Sequence, residues 1–369
     1  MSDNRRRYRT IRDALESLYP REPQGNLARH LHTLAALISG IVGSRRTNLP
    51  DVAGKVPDGT KLESRVKKYA RWVANADVDF GTFFLPFAAA LIASLVLVQP
   101  TLTLVMDGSV VGRGCVALMV SVLYQGRALP LAWVVVKGRK GHFPEDAHVA
   151  LLGQVHSLIP SGTPVVFLGD GEFDGTILLG TVQGYGWQYV CRTAKNTILS
   201  DAGKEFAFEE VNVERGCRIS LPEVDFTRQG YGPVHAIAWW DRDYEEPLYL
   251  VTNVEQAEEA CDWYRKRFCI ETFFSDQKSR GFNLHKSHLS DPKRLFRLMI
   301  AACLAYIWIV HMGILAVRDG WNEVVHRTDR CDLSLFQLGL RLLEHFLNEN
   351  LPVPVAFQMP AIGGAKSVR

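Results

Sequence analysis

Four polar residues recur within one helix-patterned segment in the last third of the chain. They are Tyr264, Arg267, Glu271 and Lys278, at offsets of 0, 3, 7 and 14. At about 100° per residue these offsets fall within about 60°, so a single helix would present all four on one face. In such a row the carboxylate could hold a metal ion, and the cations could bind phosphates on either side of it. The alternative is an exposed stripe with an Arg267–Glu271 ion pair worth a few tenths of a kcal/mol.

Two aspartates upstream stand at the ends of apolar runs. The run at 101–106 leads directly into Asp107, and the run at 164–168 leads through one glycine into Asp170. Short apolar runs of this kind predict buried strands, and open sheets form their sites beyond strand ends. Either aspartate alone fits an ordinary turn. Together with Glu271, however, they are the oxygen ligands that a pair of hard divalent cations needs.

The segments around the aspartates predict an alternating α/β order. Residues 115–136 have the pattern of two strands around a Gln125-Gly126 turn, and residues 145–159 have helical periodicity. A short helix is expected at 176–186 and a strand at 187–193. This order, followed by a late helix with the glutamate, is that of an RNase H-like fold. The predicted fold class is α/β, a mixed sheet flanked by helices.

With these residues the chain resembles the DDE transposases of bacterial insertion sequences, in the family marked by a Y-(2)-R-(3)-E-(6)-K signature (the insertion-sequence-four type). The resemblance covers approximately residues 60–300. Besides the signature and the two aspartates, it rests on a Tyr-Val-Cys-Arg stretch ending at Arg192 and on residues 249–253. One departure is Gly171-Glu172 after Asp170, where members more often carry an arginine-containing turn. The departure bears on local geometry, not on the carboxylates.

The resemblance implies a catalytic triad of Asp107, Asp170 and Glu271 that binds two Mg²⁺ ions, for which Mn²⁺ can substitute. It implies hydrolytic nicking at the transposon end, then attack of the freed 3′-OH on the opposite strand and on target DNA. The candidates for binding DNA phosphates are five: Tyr264, Arg267, Lys278, Arg192 and Lys286. The implied partner is double-stranded DNA, as terminal inverted repeats and as target, bound by a dimer in the bacterial cytoplasm at the nucleoid.

Two other classes stay open at this point. A metal-dependent nuclease of the same fold would carry all three carboxylates without strand transfer. A non-catalytic DNA-binding descendant of a transposase would keep the basic N-terminal helices and could lose a carboxylate. The intact acids and signature favour an active enzyme over the second class.

Composition and charge set broad limits. The 369 residues are 47% hydrophobic and 22% charged, which is typical of a globular protein. The net charge of +3 is uneven, since residues 1–80 hold 15 Lys/Arg against 9 Asp/Glu. Seven cysteines without a CxxC pair predict reduced thiols, neither a zinc site nor a disulfide framework. A basic N-terminal part is what a phosphate-binding module would show.

The expected domains follow these shifts in pattern. They are a helical DNA-binding region at 1–95, an RNase H-like core at 96–196 and 248–325, a β-rich insertion at 197–247, and a C-terminal helical tail at 326–369. The N-terminal candidates for DNA contact lie on one predicted helix: Lys61, Arg65, Lys68 and Arg71. The alternative there is a solvated helical face.

Three further features have two interpretations each. Trp239 and Trp240 in the insertion are candidates for stacking on DNA bases, or are packing residues. The apolar stretch at 299–317 predicts a buried helix on the sheet; it also reaches the minimum length of a membrane span, although no membrane partner is expected. The segment at 333–349 predicts an amphipathic helix that forms a dimer contact or caps the core. The last ten or so residues are expected to be a loose tail.

Overall fold

In the computed structural model, which describes residues 2–138, 141, 143–327 and 332–361, ten strands form one mixed sheet that helices flank. The strands are β1 (Leu102–Gly112), β2 (Cys115–Tyr124), β3 (Arg127–Lys137), β4 (Val165–Gly169), β5 (Gln188–Thr193), β6 (Ile198–Asp201), β7 (Lys204–Ala207), β8 (Arg218–Phe226), β9 (Tyr231–Trp239) and β10 (Leu248–Thr252).

Six helices precede the sheet in the chain: α1 (Asp3–Glu16), α2 (Gly25–Ser44), α3 (Leu49–Gly54), α4 (Leu62–Ala74), α5 (Phe80–Phe83) and α6 (Leu85–Val96). The later helices are α7 (Glu145–His156), α8 (Thr176–Gly184), α9 (Ala257–Lys266), α10 (Cys269–Gln277), α11 (Pro292–Arg318), α12 (Asn322–Val325) and α13 (Leu335–Asn348).

The sheet order is β3-β2-β1-β4-β5-β10-β9-β8-β6-β7. Strand β4 is parallel to both of its neighbours, β1 and β5, while the other pairs are antiparallel. Every residue of β2 and β4 is buried. Continuous apolar runs form such strands because helices cover both of their faces. The predicted fold class is therefore confirmed at the level of a mixed α/β sheet flanked by helices.

The predicted hairpin forms from β2 and β3. Its two turn residues have positive φ, 49° at Gln125 and 70° at Gly126. Two-residue turns with positive φ at both positions match the twist of antiparallel strands, and glycine accepts this conformation without strain. The helices and strands expected at 145–193 also form, as α7, β4, α8 and β5.

Residues 197–247 are β-rich, and their strands continue the central sheet. Strand β9 pairs with β10 from Leu248↔Trp239 to Thr252↔His235, and β10 pairs in turn with β5. The segment expected as an insertion is thus joined to the rest of the sheet by main-chain hydrogen bonds. The domain boundaries themselves stay a prediction.

Helix α11 runs through the centre of the molecule. Its length and composition would suffice to cross a membrane, but 89% of its most apolar stretch is buried inside the structure. It packs against α13, α2, β3 and α4. The expectation of a buried helix at 299–317 is confirmed.

Helix α13 packs across α11 with the two backbones in close contact. A Cβ added to Gly313 would lie 1.9 Å from the carbonyl oxygen of Leu335, and one added to Gly339 would lie 1.9 Å from that of Ile309. The two glycines therefore let the backbones of α11 and α13 touch. This placement favours the core-capping interpretation of the amphipathic segment. Most of the expected loose tail, residues 362–369, lies outside the described residues.

Candidate active site

Asp107 and Asp170 lie on neighbouring strands. Asp170 follows the end of β4 as predicted, but Asp107 does not end its strand, because β1 continues through it to Gly112. Strands β1 and β4 are paired in parallel up to Val105↔Leu168. Asp107 and Asp170 each follow two residues later, so their backbones lie at the same level along the two strands. Strand β4 ends at Gly169, while β1 continues and pairs only with β2 beyond this point. Among the residues that the structure describes, the edge of β1 that faces β4 therefore has no paired strand at Asp107. Sites in sheets of this kind form at such strand ends.

Asp107 is buried, with 3% exposure, and its Oδ1 accepts a hydrogen bond from the backbone N–H of Gly108 at 2.6 Å. Asp170 is half-buried, and its Oδ1 accepts from the N–H of Glu172 at 3.1 Å. This local bond closes the turn in which the sequence departs from the family pattern. Both carboxylates are thus held by neighbouring backbone N–H groups.

The loop after Asp170 is anchored by Phe173, which is fully buried. Its N–H donates to the carbonyl oxygen of Asp170 at 2.9 Å, and its ring packs on His148 of α7 with centroids 4.9 Å apart. A Cβ at Gly169 would lie 2.6 Å from that of Phe173. Glycine is therefore required where β4 ends, because Phe173 folds back over it.

Two acidic residues that sequence reasoning did not assign support this loop. Asp174 Oδ2 accepts a hydrogen bond from Thr193 Oγ1 at 2.6 Å, and burial raises the pKa of Asp174. Glu145 at the start of α7 accepts from the backbone N–H of Leu178 at 2.9 Å, in the first turn of α8. These contacts tie α7, α8 and β5 to the segment that carries Asp170.

The signature segment is not one helix, so that prediction is wrong. The chain forms α9 and α10, and Arg267 and Phe268 lie between them. Here Ile270 N–H donates to Arg267 O at 3.2 Å and Glu271 N–H to Phe268 O at 3.1 Å, the three-residue spacing of a tightened turn.

The helix breaks here because the apolar residues before and after the break lie on different sides of a continuous helix. The buried residues are Ala260, Cys261 and Tyr264 in α9, and Ile270, Phe273 and Phe274 in α10. In a continuous helix the second set would be rotated by roughly 130° from the first. A straight helix could bury only one set, and the joint lets both face the core.

The four signature residues consequently differ in their surroundings. Tyr264 is buried, which raises its pKa to about 12. The buried Arg267 places Nη2 3.6 Å from Oε1 of Glu271, a carboxylate whose side chain is 60% exposed. Lys278 lies just past α10 and donates from Nζ to Ser109 Oγ at 2.6 Å.

These positions relate the signature to the aspartates. Ser109 is two residues after Asp107 on β1, so Lys278 reaches the face of the strand that carries Asp107. Helix α9 packs against β4 and β5, which places Tyr264 near the segments that carry Asp170 and Arg192. The structure thus brings Tyr264 and Lys278 to the aspartates, while Glu271 forms the i,i+4 pair with Arg267.

The carboxylates have the hard oxygen donors that a divalent cation prefers. Asp107 and Asp170, at the same level of neighbouring strands, carry such donors. Within the described part of the chain, however, no three His, Cys, Asp or Glu side chains are close enough to hold a metal ion. A site of three carboxylates would require Glu271 to turn away from Arg267.

A buried ion pair fixes α10 against the sheet, and sequence reasoning missed it. Arg127, the first residue of β3, places Nη1 3.2 Å from Oδ2 of Asp276, and both side chains are buried. Burial raises the pKa of Asp276 to about 6 despite the nearby guanidinium. The two residues are 149 positions apart, so no local pattern indicates the pair.

The other phosphate-binding candidates lie in two separate depressions. Arg192 is exposed on β5 and lines a cleft of about 560 Å³ with Asp170, Lys195 and Glu209. Lys286 is exposed in the loop after α10 and lines a cavity of about 210 Å³.

The N-terminal candidates lie on or next to α4. Lys61, Lys68 and Arg71 are exposed, and Lys68 is 4.0 Å from Asp58. Arg65 instead folds back, donating from Nη1 to the carbonyl oxygen of Val56 at 2.8 Å. Three of the four side chains therefore face solvent, which fits either interpretation made from the sequence.

The tryptophan candidates pack within the protein. Trp239 is 4% exposed, and the guanidinium carbon of Arg265 lies 4.8 Å from the centroid of its ring. Trp240 donates from Nε1 to the carbonyl oxygen of Tyr244 at 3.1 Å. In this conformation Trp239 cannot stack on a base, because the turn after β9 and the side chain of Arg265 cover it.

No curated protein matches the chain. Among solved structures, the cryo-EM structure of a piggyBac transposase synaptic complex with hairpin DNA aligns at 11% identity, over 94% of this chain and 80% of that chain, with a TM-score of 0.48.

A family model described as a transposase DDE domain matches residues 108–308. The match includes Asp170 and Glu271 and starts one residue after Asp107. Since it spans more than half of the 369 residues, this chain belongs to the family of transposases with a DDE domain.

Proposed function

We propose that this protein is a DNA transposase of the insertion-sequence-four type with an RNase H-like core. It cuts DNA at transposon ends and transfers the freed 3′ ends to target DNA. Asp107, Asp170 and Glu271 are its catalytic carboxylates. The observation that carries the proposal is the parallel register of β1 and β4, which brings Asp107 beside Asp170 in a chain of this family.

Asp107 and Asp170 would hold Mg²⁺, or Mn²⁺ in its place, and Glu271 would complete the site after leaving Arg267. When bound, two such ions supply an activated water and stabilise charge on the leaving 3′ oxygen. No protein nucleophile is needed, so none is assigned.

The signature residues would then handle phosphates. Once Glu271 leaves, the guanidinium of Arg267 can offer two parallel N–H donors to one phosphate. Lys278, held beside Asp107 by Ser109, supplies a point charge. Tyr264 has a pKa of about 12, so its phenol is protonated at neutral pH and can donate a hydrogen bond.

The proposed partner is double-stranded DNA, as terminal inverted repeats and as target, bound by a dimer in the bacterial cytoplasm. The supporting observations are the excess of six positive charges in residues 1–80 and the exposure of Lys61, Lys68 and Arg71. Long-range attraction of this kind strengthens DNA binding mainly at low salt.

The test is cleavage and joining of a labelled duplex that carries the element's terminal repeat, with Mg²⁺ or with EDTA. Asp107→Asn, Asp170→Asn and Glu271→Gln should each abolish cleavage and leave binding largely intact. Asp201→Asn, at the far end of the sheet, is the matched control and should cleave normally. Full cleavage by the Asp107 variant would refute the assignment. Cleavage by the wild type without any joining would instead identify a nuclease.

A further inference from the structure

A small cavity forms where the N-terminal helical region meets the loop after α10. It measures about 210 Å³ and is lined from two sides. The N-terminal region supplies Arg46, Asn48 and Asp51, and the loop supplies Asn283, Lys286 and His288. Every lining residue carries a polar side chain.

The two sides are fixed to each other by hydrogen bonds. Thr47 is fully buried and donates from Oγ1 to the carbonyl oxygen of Asn283 at 3.3 Å. Asn283 donates from Nδ2 to the carbonyl oxygen of Arg45 at 3.4 Å. Asn283 itself has φ 53° and ψ 42°, a left-handed conformation that asparagine tolerates better than most residues. The cavity therefore has a built frame.

The donors around this cavity are suited to an anion. Arg46 pairs with Asp51 through Nη1 at 3.2 Å, which engages one amino group of a guanidinium with five N–H donors. Among the described residues (2–138, 141, 143–327 and 332–361), the ammonium of Lys286 has no carboxylate partner. Two cations against one carboxylate leave the lining with a net positive charge.

The imidazole of His288 adds a further donor. Its Nδ1 lies 3.2 Å from Nη2 of Arg113 in the β1–β2 turn. An arginine can only donate, so Nδ1 accepts and the ring proton of the neutral form is on Nε2. Arg113 thereby brings another positive charge to the edge of the cavity.

The lining of the cavity is hydrogen-bonded to Lys278, the last residue of the signature. The N–H of Asn283 donates to the carbonyl oxygen of Lys278 at 2.9 Å, and Lys278 contacts Ser109 on the strand of Asp107. We infer that the cavity binds one backbone phosphate of the transposon-end DNA, through Arg46 from the N-terminal region and Lys286 from the core. The inference rests on the proposed function. It goes beyond that function in adding Arg46 to the phosphate-binding residues and in having Arg46 and Lys286 bind the same phosphate.

The test is the salt dependence of binding to a labelled terminal-repeat duplex, for wild type, Arg46→Ala, Lys286→Ala and the double variant. Each neutralised phosphate adds about 0.9 to the slope of log affinity against log salt. A shared phosphate predicts that the double variant loses about 0.9, whereas two separate contacts would lose about 1.8. From about 50 to about 200 mM salt, a loss of 0.9 removes about a 3.5-fold dependence.

A second measurement locates the contact on the DNA. A neutral methylphosphonate is placed at each backbone position of the duplex in turn. At one position the substitution should weaken the wild type but not the double variant. Lys204→Ala, on the outermost strand β7, is the matched control and should keep the wild-type slope and sensitivity. Thermal unfolding of each variant checks that the exposed substitutions leave the fold intact.

Unchanged slopes in the double variant, or the same loss in Lys204→Ala, would overturn the inference. So would a loss near 1.8 with two sensitive positions. These outcomes leave the proposed function standing if the wild type still binds and cleaves the duplex and Asp107→Asn binds without cleaving. If the wild type itself neither binds nor cleaves, the proposed function fails first.

Discussion

At the scale of single residues, Arg127 and Asp276 show how the fold sets the protonation of a buried side chain. Asp276 lies on the same helix as Glu271, and its carboxylate meets the buried guanidinium of Arg127. Removing one partner of such a buried pair typically costs about 3–5 kcal/mol, because the other charge is left uncompensated. The pair therefore helps to position α10, and with it Glu271.

The raised pKa of Asp276 predicts a pH-dependent stability. The folded pKa of about 6 lies above the ordinary value of 3.8, so the native state binds this proton more tightly than the unfolded state. The stabilisation is complete below about pH 4 and is lost as pH rises through 6, in total about 3 kcal/mol. Urea unfolding from pH 4 to 7 should show this loss in the wild type and not in Asp276→Asn. Parallel pH profiles for the two proteins would contradict the assignment.

The position of Lys278 leads us to expect that its substitution slows DNA cleavage. Its hydrogen bond with Ser109 holds the ammonium on the face of β1 that carries Asp107. Loss of one well-placed charge donor at a reacting centre costs about 10²-fold in rate. Lys278→Met should lower the cleavage rate by about that factor with a small change in DNA affinity, measured by single-turnover kinetics. Lys204→Met is the matched control, and an equal loss there would show that only overall charge matters.

At the scale of elements, the crossing of α11 and α13 depends on two glycines that let the helices touch. Methyl groups at Gly313 and Gly339 would each overlap a carbonyl oxygen of the facing helix. A backbone oxygen cannot rotate away as a side chain can, so the helices would have to separate.

Gly313→Ala and Gly339→Ala should each destabilise the protein by about 1–3 kcal/mol or more. The double variant should lose less than the sum, because one separation of the helices relieves both overlaps. Gly184→Ala, at the end of α8 with open space around its Cβ, is the control and should be neutral or slightly stabilising. Thermal unfolding measures all four; wild-type stability of Gly313→Ala would contradict the described crossing.

Which elements the sequence could predict depends on the range of the forces involved. Strands β1 and β4 were predictable, because their apolar runs are local signals. The predicted end of β1 was wrong, because its pairing with β2 carries the strand through Asp107 and Gly108 to Gly112. The break between α9 and α10 was visible in principle, in the shifted phase of Tyr264 and Phe273. The burial of Trp239 beneath Arg265 could not be predicted, since that contact joins β9 to α9 and neither local sequence pattern indicates it.

At the scale of the whole molecule, the first helix is fastened to the last. Arg6 in α1 donates from Nη1 to the carbonyl oxygen of Leu347 at 2.9 Å and to Oδ1 of Asn350 at 3.1 Å. A cation at a helix C-terminus also offsets the negative end of the helix dipole. The N-terminal helices and the core are therefore linked by α13 as well as by α11.

Arg6→Ala should lower the free energy of unfolding by about 2 kcal/mol, because hydrogen bonds to a charged donor are lost together. Arg5→Ala, one residue earlier and exposed, is the control and should change stability by less than about 0.5 kcal/mol. Chemical unfolding compares the two variants. Equal stability of both would mean that the link at Arg6 contributes nothing.

The central place of α11 has a consequence for synthesis of the chain. Helices α2 and α4 and strand β3 all pack against α11, which begins only at Pro292. At about 5–20 residues per second, a ribosome needs about 15–60 s to reach it. Throughout that time the apolar faces of the earlier elements lack their main partner. The nascent protein must therefore stay soluble with its core incomplete, and its yield should depend on chaperones that shield such surfaces.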